Sequence, residues 1–315
     1  MRIAECGMRI SNSHNPQSTI RNPQCLAVWT ALRPSQWLKN LFVLAPLFFS
    51  QRAFEPDPIV RTLAALGLFC VTSSSVYLFN DLSDRGQDRQ HPKKRRRPIA
   101  SGALSASVAS VAMVALLVVA LSGALALSKP LAALLSLYWG LNLWYSVQLK
   151  HVVILDVFVI AANYLLRVMA GAVVIEVVMS RWLLICTSLL ALFIALCKRR
   201  HELVLLQQGA ASHRQVLVDY PLPFLDMMIG VITAAALVSY SLYTVDGEVI
   251  ERVGSTGMVW TVPCVLYGFF RYLYLVFRKE EGGDPTQSVV TDRPMLVNLF
   301  VWAATVGVIL YGGTP

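Results

Sequence analysis

The sequence predicts an all-α fold, a polytopic membrane bundle of about nine transmembrane helices, and three observations predict it. Of 315 residues, 56% are hydrophobic and only 14% charged, with a mean hydropathy of +0.58, so the solvent for most of the surface is lipid. Apolar stretches of roughly 20 residues recur along the whole chain, each long enough to cross a ~30 Å hydrocarbon core as a helix. The basic residues cluster in alternate connections between those stretches, as the tendency of positive loops to stay in the cytoplasm requires.

Taken in order, residues 1–32 are expected to form a mobile cytosolic tail. Arg2, Arg9, Asn12, Asn15, Pro16 and Pro23 leave no apolar core of a signal peptide there. Residues 33–315 are read as a single transmembrane domain. Spans are expected at 38–52, 59–80, 103–126, 130–147, 152–176, 182–197, 222–243, 256–277 and 294–311. The first is short and interrupted by Pro46, so it is expected to enter the membrane obliquely. The segments before 40 and at 81–102, 148–151, 198–221 and 278–293 together carry 20 of the 27 Lys and Arg residues. The opposite connections carry only Arg52, Arg61, Lys129, Arg181 and Arg252, while Arg167 and Arg271 lie inside spans. This asymmetry predicts a cytoplasmic amino terminus and, with an odd span count, an external carboxyl terminus. The net charge of +9 is spread between spans rather than gathered in one basic module, which points to anionic lipid and phosphorylated substrates and away from nucleic acid. Six cysteines form no C-x-x-C pair and read as reduced packing residues.

The concentrated polar motifs all fall on the predicted cytoplasmic side. The central one runs Asn80-Asp81-Leu82-Ser83-Asp84-Arg85-Gly86-Gln87-Asp88. On a continued helix, Asp81, Asp84 and Asp88 share one face with neighbours roughly 5–6 Å apart, where three carboxylates repel one another. A magnesium ion removes that penalty, since it prefers carboxylate oxygens, substrate phosphate oxygens and retained waters. The cationic run His91-Pro92-Lys93-Lys94-Arg95-Arg96-Arg97 begins three residues beyond Asp88, so acid with metal on one side and base on the other would clamp a polyphosphate. Anchoring to anionic lipid is the competing role for Lys93, Arg95 and Arg96. Asp156 and Arg167 are eleven residues apart within one span, about three turns, so both can face the interior. Intramembrane charges of this kind are usually functional or paired.

Asn80 to Asp88, followed by His91-Pro92-x-Lys94-x-x-Arg97-Pro98-Ile99-Ala100-Ser101-Gly102, resembles the first signature of the UbiA-type membrane prenyltransferase superfamily. Four other stretches resemble its decaprenyl-phosphate phosphoribosyltransferase branch. They are Arg33-Pro34-Ser35-Gln36-Trp37-Leu38-Lys39-Asn40; Tyr145-Ser146 with Lys150, Asp156 and Arg167; Lys198-Arg199 with Glu202; and Gly283-Asp284-Pro285 through Asp292-Arg293. The resemblance implies a UbiA-like fold and transfer of 5-phosphoribose from phosphoribosyl diphosphate to a polyprenyl phosphate. Pyrophosphate would be released at the cytoplasmic face of a bacterial inner membrane, with Mg2+ as cofactor. It implies catalytic roles for Asp81, Asp84, Asp88, Tyr145 and Asp156, the three aspartates also holding the metal. It implies substrate binding by Lys39, Asn80, Lys94, Arg97, Lys150, Arg167, Lys198, Arg199 and Glu202.

Aromatic prenyltransferases of the superfamily, whose donor is an isoprenyl diphosphate, resemble one another in a second D-x-x-x-D motif after span six. Here that connection begins Lys198-Arg199-Arg200-His201-Glu202 with no such motif, which favours a donor carrying a separate phosphate. A transporter is the non-enzymatic alternative, and crowding of polar motifs on one face argues against it. Related enzymes resemble homo-oligomers, which no residue here demonstrates.

Overall fold

The computed structural model describes residues 23–91, 94–207, 220–278, 289 and 291–312. Residues 1–22 of the expected tail, Lys93 and the Gly283-Asp284-Pro285 stretch lie outside them. All regular structure among the described residues is helical.

Helix α1 (Pro23–Leu32) buries Ala27 and Ala31 against Leu78, Ile99 and Leu104. The tail boundary expected at residue 32 is therefore corrected: residues 23–32 belong to the packed bundle, because a face of small and apolar side chains finds a partner there. The span expected at 38–52 is instead a 3₁₀ helix, Pro34–Leu44, continued by the short α2 (Ala45–Phe49). Eleven residues at ~2.0 Å and five at ~1.5 Å cover about 30 Å, so these sixteen residues reach nearly as far as a much longer α-helix.

Then follow α3 (Pro56–Ser83), α4 (Arg85–Gln90), a 3₁₀ turn at Lys94–Arg96, and α5 (Pro98–Ser101), which Gly102 ends at φ 85°. Helix α6 (Ala106–Leu127) is capped by Ser105, whose hydroxyl accepts from the Val108 N–H. Helices α7 (Lys129–Val147), α8 (Leu155–Val174), α9 (Arg181–Gln207) and α10 (Leu222–Val245) succeed it. The chain closes with α11 (Gly247–Val253), a 3₁₀ turn leading into α12 (Val262–Arg278), and α13 (Arg293–Tyr311).

Among the described residues seven helices are long and apolar enough to cross a membrane. They are α3, α6, α8, α9, α10, α12 with its preceding turn, and α13. The other two expected spans are the 3₁₀ segment, which is too short as a helix, and α7, whose 19 residues carry polar groups that look inward. Asn142 of α7 donates to Asn163 of α8 at 2.7 Å.

Helices α3 and α8 form the centre, each with 56% of its apolar span buried, against 17% for α6 and α13 on the lipid side. Phe69, Leu135, Tyr138, Leu166 and Ala170 knit α3, α7 and α8 together. Phe193, Leu225, Phe269, Tyr272 and Met295 do the same for α9, α10, α12 and α13. Four consecutive buried hydroxyls on α3, Thr72 to Ser75, face different neighbours. Ser74 donates to the Leu32 carbonyl and accepts from the Trp37 indole, and Ser75 donates to the Met113 carbonyl. The 3₁₀ helix lies directly on α8: a Cβ on Gly171 would stand 2.0 Å from the Val43 carbonyl oxygen.

Candidate active site

Helix α3 does not continue through the acidic motif. It stops at Ser83, Asp84 leaves helical geometry at φ −90° and ψ 5°, and α4 restarts at Arg85. The single shared face expected for Asp81, Asp84 and Asp88 is therefore split. Asp81 and Asp88 are buried and face each other across one guanidinium. Arg97 Nη1 lies 2.6 Å from Asp88 Oδ2 and 3.1 Å from Asp81 Oδ1. Arg33 adds a second contact to Asp81 Oδ1 at 2.5 Å. Asp84 turns the other way and pairs with Lys150 at 2.9 Å. Three carboxylates thus meet three cations, Arg33, Arg97 and Lys150. Burial pushes the Arg33 guanidinium below its ordinary value, with Asp81 opposing the shift.

Among the described residues no three His, Cys, Asp or Glu side chains stand together closely enough to hold a metal ion. The break at Asp84 and the interposed cations are the physical reason. The donor set nevertheless suits magnesium: its oxygens are hard carboxylates, and Asp81 Oδ2 is buried without a hydrogen-bond partner. Asn80, beside Asp81, accepts from the Ser146 hydroxyl of α7.

A second cluster is assembled from four chain segments. Asp156, at the amino end of α8, is fully buried. It accepts from Arg199 Nε at 2.5 Å and from the Tyr220 hydroxyl at 2.9 Å. Arg199, 1% exposed, also contacts Glu202 one turn along α9 and donates to the Tyr145 hydroxyl at 3.1 Å. The Tyr220 hydroxyl accepts from the Ile154 N–H, and Ile154 holds φ 70°, a left-handed value rare for a β-branched residue. Burial raises the Tyr220 hydroxyl above its ordinary range. Within the described contacts, Arg199 sits between two carboxylates, Asp156 and Glu202. The expected end of span six at 197 is corrected, since α9 runs to Gln207 and carries Lys198, Arg199 and Glu202 on helix.

Consecutive residues of α7 join the two clusters: Ser146 holds Asn80 and Tyr145 holds Arg199. The carboxyl ends of α3, α7 and α9 and the amino end of α8 therefore form one site at one end of the bundle. Lys39 Nζ donates to Gln36 at 2.5 Å on the 3₁₀ helix that Arg33 precedes. Lys94 lies in the short turn after α4, its N–H donating to His91 Nδ1 at 3.2 Å.

Arg167 stands apart, about 16 Å along α8 from Asp156. Its guanidinium donates to Asn40 Oδ1 at 2.8 Å, the Asn163 carbonyl at 2.6 Å and Tyr138 Oη at 3.1 Å. The rings of Phe69, Tyr138 and Tyr164 lie 5.0–5.5 Å from it. Neutral partners hold it, and through Asn40 it ties α8 to the 3₁₀ helix.

Sequence reasoning missed Arg33 and Tyr220 as site residues. Arg33 was within reach, as the first cation of the Arg33-to-Asn40 stretch with a proline behind it. Tyr220 gave no signal, since 64 residues separate it from the carboxylate it meets.

The UbiA prenyltransferase family model matches residues 40–288. The decaprenyl-phosphate phosphoribosyltransferase of Mycobacterium tuberculosis is 32% identical over 284 residues, 88% of this chain and 92% of that protein. The protein of the same name from Corynebacterium glutamicum is 32% identical over 287 residues, 89% of this chain and 86% of its own length. In fold, a UbiA homologue from Archaeoglobus fulgidus, solved bound to GPP and Mg2+, superimposes with a TM-score of 0.68 at 16% identity. That match covers 90% of this chain and 99% of the homologue. A family model spanning most of the chain, relatives aligned nearly end to end and a helical bundle of the same architecture agree: this chain is an integral membrane protein of the UbiA prenyltransferase family.

Proposed function

We propose that the protein transfers 5-phosphoribose from phosphoribosyl diphosphate to a polyprenyl phosphate. In the step itself, an acceptor phosphate oxygen bonds to the anomeric carbon as the bond from that carbon to the diphosphate oxygen breaks, and pyrophosphate leaves. The likeness to decaprenyl-phosphate phosphoribosyltransferases along almost the whole chain carries this reading.

The site's chemistry supports it. Asp81 and Asp88, with Asp84, would hold magnesium, which when bound supplies charge neutralisation for the donor's diphosphate. Arg97 and Lys150 then exchange their carboxylate partners for phosphate oxygens, so the same cations serve both states. Lys94, Lys198 and Lys39 supply further positive charge for the leaving pyrophosphate and the 5-phosphate. Asn80 is oriented by Ser146. Asp156, fixed by Arg199 and Tyr220, and the Tyr145 hydroxyl face the positive charge that grows at the anomeric carbon. Glu202 completes the acidic side. Arg199 already meets two carboxylates, so its part is to orient them, and Arg167 acts by seating the 3₁₀ helix. The acceptor is already an anion, so positioning and charge cancellation are the main demands. Placing this end of the bundle at the cytoplasmic face of a bacterial inner membrane rests on the lysine and arginine asymmetry of the connections.

Purified protein given radiolabelled phosphoribosyl diphosphate, magnesium and polyprenyl phosphate is expected to yield a lipid-soluble label. Label absent there, with turnover instead of an isoprenyl diphosphate and an aromatic acceptor, would reassign the enzyme.

A further inference from the structure

At the end of the bundle opposite the acidic site, a cavity of about 290 Å³ opens between α2, the α8–α9 connection, α10 and α11. Chain direction fixes its location. Pro46 and Phe49 precede α3, whose far end carries Asp81. Val177 follows α8, whose near end carries Asp156. Tyr243 closes α10, whose first turn adjoins Tyr220. The volume lies near the lower end of the ~300–1,000 Å³ typical of ligand pockets. Its walls are largely apolar, and among the described residues lining it Arg252 is the only charged one.

Arg252 and the hydroxyls of Tyr243 and Ser180 are uncommitted at this cavity among the described residues. Arg252 is exposed and forms no ion pair, whereas the neighbouring Arg181 is held by both carboxylate oxygens of Glu248 at 2.9 and 3.0 Å. The Tyr243 hydroxyl makes no hydrogen bond, whereas that of Tyr240 is engaged by Thr261 at 2.7 Å and by Trp302 at 3.0 Å. Trp182 lines the cavity and Trp260, near the same end, is 75% exposed, as befits the membrane–water boundary. An apolar hollow with one free cation and two free hydroxyls at that depth matches an amphiphile with a negative head.

We propose that this cavity binds an anionic phospholipid from the leaflet opposite the acidic site. One acyl chain fills the apolar part, and the headgroup phosphate pairs with Arg252 and accepts from Tyr243. Cys186 lines the cavity and reports its occupancy. Full-length protein in detergent is treated with a maleimide, with phosphatidylglycerol or phosphatidylcholine added, and Cys186 modification is read by peptide mass spectrometry. Phosphatidylglycerol should protect Cys186 at about fivefold lower concentration than phosphatidylcholine, the preference one interfacial arginine confers. Arg252→Gln, a surface change that leaves the core intact, should abolish that preference. Equal protection by both lipids, no protection by either, or protection by polyprenyl phosphate alone would overturn the assignment.

Discussion

Replacing Gly171 with alanine sets a methyl carbon 2.0 Å from the Val43 carbonyl oxygen and within 3.2 Å of the Pro46 ring. An acceptable carbon–oxygen contact is more than 1 Å longer, and the obstacle is backbone, so the 3₁₀ helix must move away from α8. A shift of that size stretches the 2.8 Å bond from Arg167 to Asn40 beyond hydrogen-bonding range. Overpacking costs ~1–3 kcal/mol, loss of a buried charge-assisted hydrogen bond ~1.5–3 kcal/mol, and the better helix propensity of alanine returns ~1 kcal/mol. The net loss is about 3 kcal/mol, which lowers the apparent midpoint of thermal unfolding in detergent by roughly 5–10 °C on the scaling for large domains. Activity should fall as well, because the displaced segment carries Lys39 and, at its leading end, Arg33. An alanine variant as stable as the parent, or more stable, would refute the claim that the 3₁₀ helix rests on the α8 backbone at this point.

Arg97→Gln removes the cation that bridges Asp81 and Asp88. It is expected to raise manganese affinity about tenfold in the absence of substrate, measured by electron paramagnetic resonance, while raising KM for the diphosphate donor by a similar factor. Unchanged metal affinity would show that the guanidinium and the metal do not compete. Tyr220→Phe deletes one of the two donors that fix Asp156. At ~1.5–3 kcal/mol for a hydrogen bond to a charged group, kcat should drop about tenfold to a hundredfold with little change in donor KM, and full activity would dismiss Tyr220 as a positioning residue. Asp156→Leu strips a buried guanidinium of a partner and should destabilise the protein by about 3–5 kcal/mol. Adding Arg199→Met should recover most of that stability in a thermal melt without recovering turnover, and a restored turnover would remove Asp156 from the chemistry.

The helices were legible because lipid demands about 20 apolar residues per crossing, a signal that survives without knowledge of neighbours. Two elements were misread where the neighbour decides. The first span is a 3₁₀ segment because Asn40 and Val43 pack onto Arg167 and Gly171, 127 and 128 residues downstream. Helix α9 outruns its apolar stretch because Arg199 donates to both Glu202 on its own helix and Asp156 on α8. In the site, the acidic motif and its basic tail were visible as local spacing, and their mutual ion pairs were not. The second cluster was hidden for a related reason. Its carboxylates, Asp156 and Glu202, lie on different helices, and only the fold makes them a pair.

The hydroxyls at Thr72 to Ser75 bear on how such a helix enters a bilayer at all. A newly inserted α3 has no neighbours, and an unsatisfied hydroxyl in hydrocarbon is costly. Thr72 and Ser73 show the remedy, donating to the Leu68 and Cys70 carbonyls of their own helix at 2.8 and 2.9 Å. Ser74 and Ser75 can do the same until the chain before the 3₁₀ helix and α6 arrive, and then trade those acceptors for Leu32 and Met113. The segment can thus be delivered by the insertion machinery as an oily rod and mature into the polar hub of the bundle, with no hydroxyl left bare at either stage.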